Sequence, residues 1–100
     1  MQLEHAIAKI DTLSASATIF AERINGEFSP QSRVEVIELT DNELIRPITE
    51  IATTKAPGTE YFLEVSIVRE FLAEWKRNHG SNPSLAAAVA AIIGYSENDA

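Results

Sequence analysis

The two histidines are the first residues to consider, because histidine is the commonest general base and metal ligand near neutral pH. They are His5 and His79, and the chain has no cysteine. Neither histidine lies in a Glu-x-x-His or His-Glu-x-x-His pattern, so the sequence predicts no metal site. His79 follows a predicted helix, whose dipole favours a protonated imidazole at its C-terminal end, and this capping role accounts for it. We therefore expect no catalytic histidine.

Two pairs of glutamates have a spacing that could bring their carboxylates together. Glu60 and Glu64 are four residues apart, as are Glu70 and Glu74, so each pair would share one face of a helix. Paired carboxylates can bind a divalent cation or act as acid and base. Without neighbouring histidines, both pairs are more simply explained as solvated helix faces.

Phosphate-binding and nucleophile motifs are also missing. The four glycines, Gly26, Gly58, Gly80 and Gly94, are isolated and form no glycine-rich loop. No Gly-x-Ser-x-Gly or Ser-x-x-Lys pattern is present. The sequence therefore predicts no enzyme, no catalytic residue and no cofactor.

The charge balance restricts the class of partner. Fifteen acidic residues against eight lysines and arginines give a net charge of −7. The basic residues are spread evenly along the chain, so we expect binding neither to nucleic acid nor to an anionic membrane surface. An acid excess keeps a protein soluble, and it also suits a partner with a basic surface.

Three features bear on the location of the protein. The absence of cysteine fits a reducing compartment, and residues 1–5 lack the basic start and apolar stretch of a signal peptide. The longest apolar run, 85–93, is much shorter than the roughly 20 residues that span a bilayer. We expect a cytoplasmic protein.

Apolar periodicity predicts a helix over the first 25 residues. Its seam repeats every three or four positions and consists of Leu3, Ala6, Ile10, Leu13, Ala17, Phe20 and Ile24. Asn25-Gly26 supplies the left-handed terminator that helices favour. Thr12, Ser14, Ser16 and Thr18 are poor helix formers, so this segment needs tertiary packing to hold it.

Residues 28–54 allow two interpretations. The favoured one is helical, with Ser29 as N-cap, a capping box at Thr40 and Glu43, and Pro47 kinking or delaying the second helix. The other is a hairpin of strands at 33–39 and 45–53 that turns at residues 41–42.

The last 40 residues predict two helices joined by a turn. The first covers about 60–78, with Thr59 as N-cap, and the turn covers 77–83. The main apolar stripe of this first helix is Tyr61, Val65, Val68, Leu72 and Trp75, and a second stripe beside it is Leu63, Ile67 and Phe71. An apolar face this broad predicts a helix central to the core. The second helix begins at Asn82 or Pro83 and ends at Gly94 or just beyond. Residues 96–100 are expected to form a frayed tail.

These helices predict an all-α fold, an antiparallel bundle of four to five helices in which residues 1–100 form one domain. The alternative is an α+β fold with a short β-hairpin at about 33–53. Small alanine side chains surround nearly the whole last helix, which favours a thin helix packed in the core alone. If the alanines also meet a second copy or a partner, the candidate partner-binding surface is Ala87, Ala90, Ala91 and Tyr95.

The leading functional hypothesis is a non-catalytic protein–protein interaction or regulatory module that binds a protein partner or a second copy of itself. An alternative is an acidic inhibitor or immunity-type protein that covers a basic site on an enzyme or nuclease. A second alternative is a small enzyme or ligand carrier that uses the bundle interior, with His5 or His79 at its mouth.

Overall fold

The computed structural model describes residues 1–40, 45–78 and 84–99. These residues contain four α-helices, three strands and a short 3₁₀ helix at Ile10–Thr12. The elements in chain order are α1 Leu3–Ala8, β1 Ala17–Ala21, β2 Val34–Glu38, α2 Ile48–Lys55, β3 Glu60–Glu64, α3 Val65–Asn78 and α4 Leu85–Asp99. The protein is therefore α+β, and the prediction of an all-α antiparallel bundle is wrong.

The strands form one antiparallel sheet in the order β2-β1-β3. Ile19 at the centre of β1 pairs with Val36 on one side and with Leu63 on the other. Because β2 and β3 both run antiparallel to β1, they run parallel to each other, and α2 lies in the connection between them.

Strand β1 is buried on both faces, which is why its sequence was misread. Ala17, Ile19 and Ala21 belong to the larger core, whereas Phe20 belongs to a smaller core under α2. Side chains alternate between the two faces of a strand. A strand covered on both faces reads as a continuous apolar run, which periodicity cannot distinguish from a buried helix. The predicted helix over residues 3–25 is therefore divided into α1, the 3₁₀ helix and β1.

Asn25-Gly26 forms a tight turn in the β1–β2 connection and does not end a helix. Both residues have positive φ, 55° and 84°. Ile24 and Glu27 exchange backbone hydrogen bonds of 2.7 and 3.1 Å across them. Positive φ at both central residues is what a two-residue hairpin loop requires, and Asn-Gly is its preferred sequence.

The middle region contains one element from each interpretation. Residues 34–38 form β2, so the helix predicted after Ser29 is wrong. The partner of β2 is β1, so the predicted 33–53 hairpin is also wrong. Pro47 directly precedes α2, which shows that it delays the helix. The capping box at Glu43 and the turn at 41–42 lie outside the described residues.

The predicted helix over 60–78 begins five residues late, because Glu60–Glu64 is strand β3. A register shift opposite Ile19 and Phe20 places Tyr61 opposite Phe20 and Leu63 opposite Ile19. This bulge puts both Phe62 and Leu63 into the larger core. The hydroxyl of Thr59, the predicted N-cap, donates to the Ala56 carbonyl at 2.6 Å instead.

The last helix continues beyond Gly94 to Asp99, so its predicted end is wrong. Ser84 lies directly before it, and its hydroxyl accepts a hydrogen bond from the Ala87 N–H at 3.1 Å. Ser96, in the predicted tail, is buried and donates to the Ile93 carbonyl at 2.7 Å. Fraying of the final residues stays a prediction. The turn at 79–83, with His79, Gly80, Asn82 and Pro83, lies outside the described residues.

The helices cover the sheet on both sides. α1, α3 and α4 contribute Leu3, Val65, Val68, Val89 and Ile92 to the larger core. On the opposite face, Ile51 and Ala52 of α2 pack in one cluster with Phe20, together with Ala56, which directly follows α2. None of the described helices combines the length and apolar character needed to cross a membrane.

Candidate functional site

The four residues predicted as a partner surface do not share one environment. Ala87 and Ala90 are exposed, whereas Ala91 and Tyr95 are half-buried. Ala87, Ala91 and Tyr95 lie along one side of α4, because they are four residues apart. Partner binding by these residues stays a prediction.

Helix α3 carries an apolar stripe that the core covers only in part. Val65, Val68 and Leu72 are buried in the larger core. Ile67, Phe71 and Trp75, spaced four residues apart, are half-buried and pack against the edge of that core. The breadth of this apolar surface predicted that α3 is central to the core, but the second stripe is only half-buried.

Tyr95 of α4 extends the stripe across two helices. Its ring centroid lies 4.8 Å from that of Phe71, with the rings tilted by 38°. Such offset aromatic contacts fix the two rings relative to each other. Tyr95 therefore belongs to a surface made jointly by α3 and α4.

Two carboxylates border this apolar stripe. Glu70 directly precedes Phe71 and Glu74 directly precedes Trp75, and both glutamates are exposed. We call the combined surface the aromatic–acidic face, and it consists of Ile67, Glu70, Phe71, Glu74, Trp75 and Tyr95.

The aromatic–acidic face contains two hollows that are both lined in part by Phe71. One, of about 260 Å³, is lined by Phe71, Glu74, Trp75 and Asn78. The other, of about 220 Å³, is lined by Ile67, Glu70, Phe71, Glu74 and Tyr95. Each hollow therefore places a carboxylate beside an aromatic ring.

The carboxylates of the aromatic–acidic face differ from several other surface carboxylates in their ion pairing. Arg23 pairs with Glu60 and Glu97 at 3.0 Å each, and Arg33 pairs with Glu35 at 3.0 Å. In contrast, neither Glu70 nor Glu74 forms an ion pair with any described residue.

The other residues singled out from the sequence are not assembled into a site. His5 is exposed on α1, and His79 lies outside the described residues. Glu60 and Glu64 stand at the two ends of β3, so they do not share a helix face as predicted. Among residues 1–40, 45–78 and 84–99, no three His, Asp or Glu side chains come close enough to hold a metal ion.

Sequence reasoning missed the aromatic–acidic face although it noted both of its parts. It assigned Ile67 and Phe71 to the core and treated Glu70 and Glu74 as an isolated solvated face. The signal that joins them is the repeated pair of a glutamate followed by an aromatic residue, Glu70-Phe71 and Glu74-Trp75.

Comparison with known proteins gives no further assignment. No protein-family model, no curated protein and no solved structure matches this chain.

Proposed function

We propose that this protein is a non-catalytic protein-binding module whose aromatic–acidic face docks on a basic surface of another protein. The observation that carries the proposal is a pair of carboxylates, Glu70 and Glu74, beside the half-buried rings of Phe71, Trp75 and Tyr95. Within the described part of the chain, neither carboxylate forms an ion pair.

The two kinds of group on this face suit lysine and arginine side chains. The aliphatic part of such a side chain would cover an aromatic ring, and its charged end would reach the neighbouring carboxylate. A cation over an aromatic ring contributes about 0.5–1 kcal/mol at an exposed site. Tryptophan and tyrosine are also enriched among the residues that dominate binding energy in protein interfaces.

The net charge of −7 supports the same partner class. A long-range negative potential speeds the encounter with a basic partner and disfavours acidic ones. An inhibitor or immunity-type protein that covers a basic enzyme site would be one form of this function.

Trp75 provides a direct assay, because it is the only tryptophan and lies in the aromatic–acidic face. The probe is a blocked peptide rich in lysine, arginine and leucine, and the control peptide has glutamate in place of each basic residue. We expect the basic peptide alone to change the Trp75 emission, with an affinity that falls as salt increases.

Matched variants locate the binding site. The double variant Glu70→Gln/Glu74→Gln is expected to weaken binding by about tenfold. The control Glu27→Gln/Glu50→Gln changes the net charge equally but alters the β1–β2 connection and α2. We expect this control to stay within about twofold of the wild type.

Two results would overturn the proposal. One is equal binding by the wild type and the Glu70→Gln/Glu74→Gln variant. The other is a concentration-dependent dimer in sedimentation equilibrium that this variant disrupts, because the aromatic–acidic face would then bind a second copy.

A further inference from the structure

The two outer edges of the sheet are not equally covered. On β2, the Val34 N–H donates to the Met1 carbonyl at 2.9 Å, and Gln2 forms a bridge with Arg33. The N-terminal residues therefore cover the beginning of that edge. Within the described part of the chain, no segment pairs with the outer edge of β3. An uncovered strand edge offers backbone N–H and C=O groups to another chain.

A cavity of the described structure lies beside this edge, at the start of β3. It is a groove of about 360 Å³ between α2 and the start of β3. We call it the α2–β3 groove, and it is lined by Ile48, Thr49, Ala52, Thr53, Thr59, Glu60 and Tyr61. Its volume lies within the usual range of roughly 300–1,000 Å³ for ligand sites.

The lining of the α2–β3 groove is suited to a small apolar side chain. Ile48, the first residue of α2, is 39% exposed, and both Ile48 and Ala52 line the groove. The hydroxyls of Thr53 and Thr59 donate to the carbonyls of Thr49 and Ala56, at 2.9 and 2.6 Å. With those donors occupied, the threonines present mainly methyl groups and acceptor lone pairs.

Tyr61 adds a neutral wall to the groove. Partial burial raises the pKa of its phenol, and the charge of Glu64 acts in the same direction, whereas a backbone hydrogen bond at Glu64 opposes the rise. The phenol is therefore uncharged at neutral pH. The carboxylate in the groove lining is that of Glu60, which pairs with Arg23 at 3.0 Å.

We propose that an extended peptide segment of another protein pairs with the outer edge of β3 and places an apolar side chain in the α2–β3 groove. Strand addition of this kind draws affinity from backbone hydrogen bonds and specificity from pockets for alternate side chains. Alternate side chains of the added strand would point to the α2 side of the sheet. This site is separate from the aromatic–acidic face, because α2 covers the opposite side of the sheet from α3 and α4.

The test uses a neutral, blocked peptide of alternating threonine and valine, so that attraction to Glu70 and Glu74 is avoided. A second peptide has the same sequence but is N-methylated at alternate residues, which removes the N–H groups that strand pairing needs. In a ¹⁵N-correlated NMR titration, we expect the first peptide to shift the amide signals of 60–64 and of α2, and the second to leave them unchanged.

Protein variants test the groove separately from the edge. Thr49→Phe fills the groove and is expected to weaken peptide binding by about tenfold. Thr54→Phe is the matched control, because Thr54 is exposed on the same helix but does not line the groove. We expect it to bind the peptide as the wild type does.

Three outcomes would overturn the proposal. The N-methylated peptide could shift the same amides equally, which would make the groove a pocket without strand pairing. The shifts could be confined to α3 and α4. Lastly, the amide signals of 60–64 could shift with protein concentration but not with added peptide. That result would mean that the β3 edge binds a second copy of the chain.

Discussion

Arg69 connects α3 to the segment that leads into β1. Its guanidinium donates to the carbonyls of Ile10 and Asp11, at 3.2 and 3.1 Å, and also to the carbonyl of Leu13. Carbonyl groups at the end of a helix lack partners within the helix and need others. One side chain therefore holds the 3₁₀ helix and the following residues against α3.

Replacement of Arg69 by methionine should lower the free energy of unfolding by about 1–2 kcal/mol, because several charge-assisted hydrogen bonds are lost together. Arg46→Met is the matched control, since the Arg46 side chain is 54% exposed and its ion pair within the described residues is a 3.8 Å contact with Glu50. That control should change stability by less than about 0.5 kcal/mol. Urea denaturation measures both, and equal effects would contradict this role for Arg69.

Glu38 at the end of β2 is held by two hydroxyls of the segment before β1. Ser14 and Ser16 donate to its Oε1 at 2.5 and 2.6 Å. These hydrogen bonds lower the pKa of the Glu38 carboxyl below its ordinary value of 4.5. The stability that they contribute is present above that ordinary value and is lost as the pH falls through the lowered pKa.

An NMR titration of the Glu38 carboxyl tests this assignment. In Ser14→Ala/Ser16→Ala, the pKa of Glu38 should rise towards 4.5, because both donors are gone. Ser29→Ala removes a hydroxyl that bonds Gln31 and should leave the Glu38 titration unchanged. A Glu38 pKa that is the same in all three proteins would refute the role of the serines.

At the scale of the elements, Gly26 in the β1–β2 turn and Gly94 in α4 have different backbone conformations. Gly26 has a φ of +84°, and a Cβ placed there would meet no atom within 4 Å. Gly94 lies within α4, and a Cβ there would likewise meet nothing within 4 Å. Backbone conformation is therefore the main difference between the two sites.

Alanine substitutions at the two glycines should have effects of opposite sign. Gly26→Ala should reduce the free energy of unfolding by about 1–2 kcal/mol, because an L-residue is strained at positive φ. Gly94→Ala should increase it by about 0.5–1 kcal/mol, because alanine loses less entropy in a helix. Thermal denaturation of the two variants gives the signs, and a loss of stability in Gly94→Ala would contradict the helical environment.

At the scale of the whole molecule, β1 is enclosed because helices cover both faces of the sheet. α2 provides the second cover through Ile51, which is 1% exposed and packs with Phe20. Six residues earlier, Ile45 is 84% exposed. The same residue type therefore occurs in a buried and in an open position within one short segment.

Truncation of the buried Ile51 should reduce the free energy of unfolding much more than truncation of the exposed Ile45. Ile51→Ala should cost about 2–4 kcal/mol of unfolding free energy, because it removes buried surface and leaves a cavity between α2 and the sheet. Ile45→Ala should cost less than about 0.5 kcal/mol. Urea denaturation measures both, and a small effect for Ile51→Ala would mean that α2 does not stabilise the second face.

Some elements could be predicted from the sequence because their signals are local. The buried positions Val65, Val68 and Leu72 of α3 follow helical periodicity, and a helix does begin directly after Pro47. Half of the candidate site was also visible, since Tyr95 was singled out and Glu70 and Glu74 do share a helix face. The sequence did not predict that these three residues form one partly exposed surface with Phe71 and Trp75. The exposure of a side chain depends on which other elements of the fold pack against its helix.

The amino-acid sequence by itself determined the charge of the chain, the absence of cysteine, the position of Asn25-Gly26 as a point where the backbone turns, and the apolar stripe of α3. Only the tertiary structure decided that Ala17–Ala21 is a strand, because Ala17 and Phe20 fit either a helical seam or a strand buried on both faces. Their backbone hydrogen bonds go to residues distant in sequence, in β2 and β3. Local propensity does not contain that information, since strand pairing is a non-local interaction whose stability comes from the neighbours that the fold supplies.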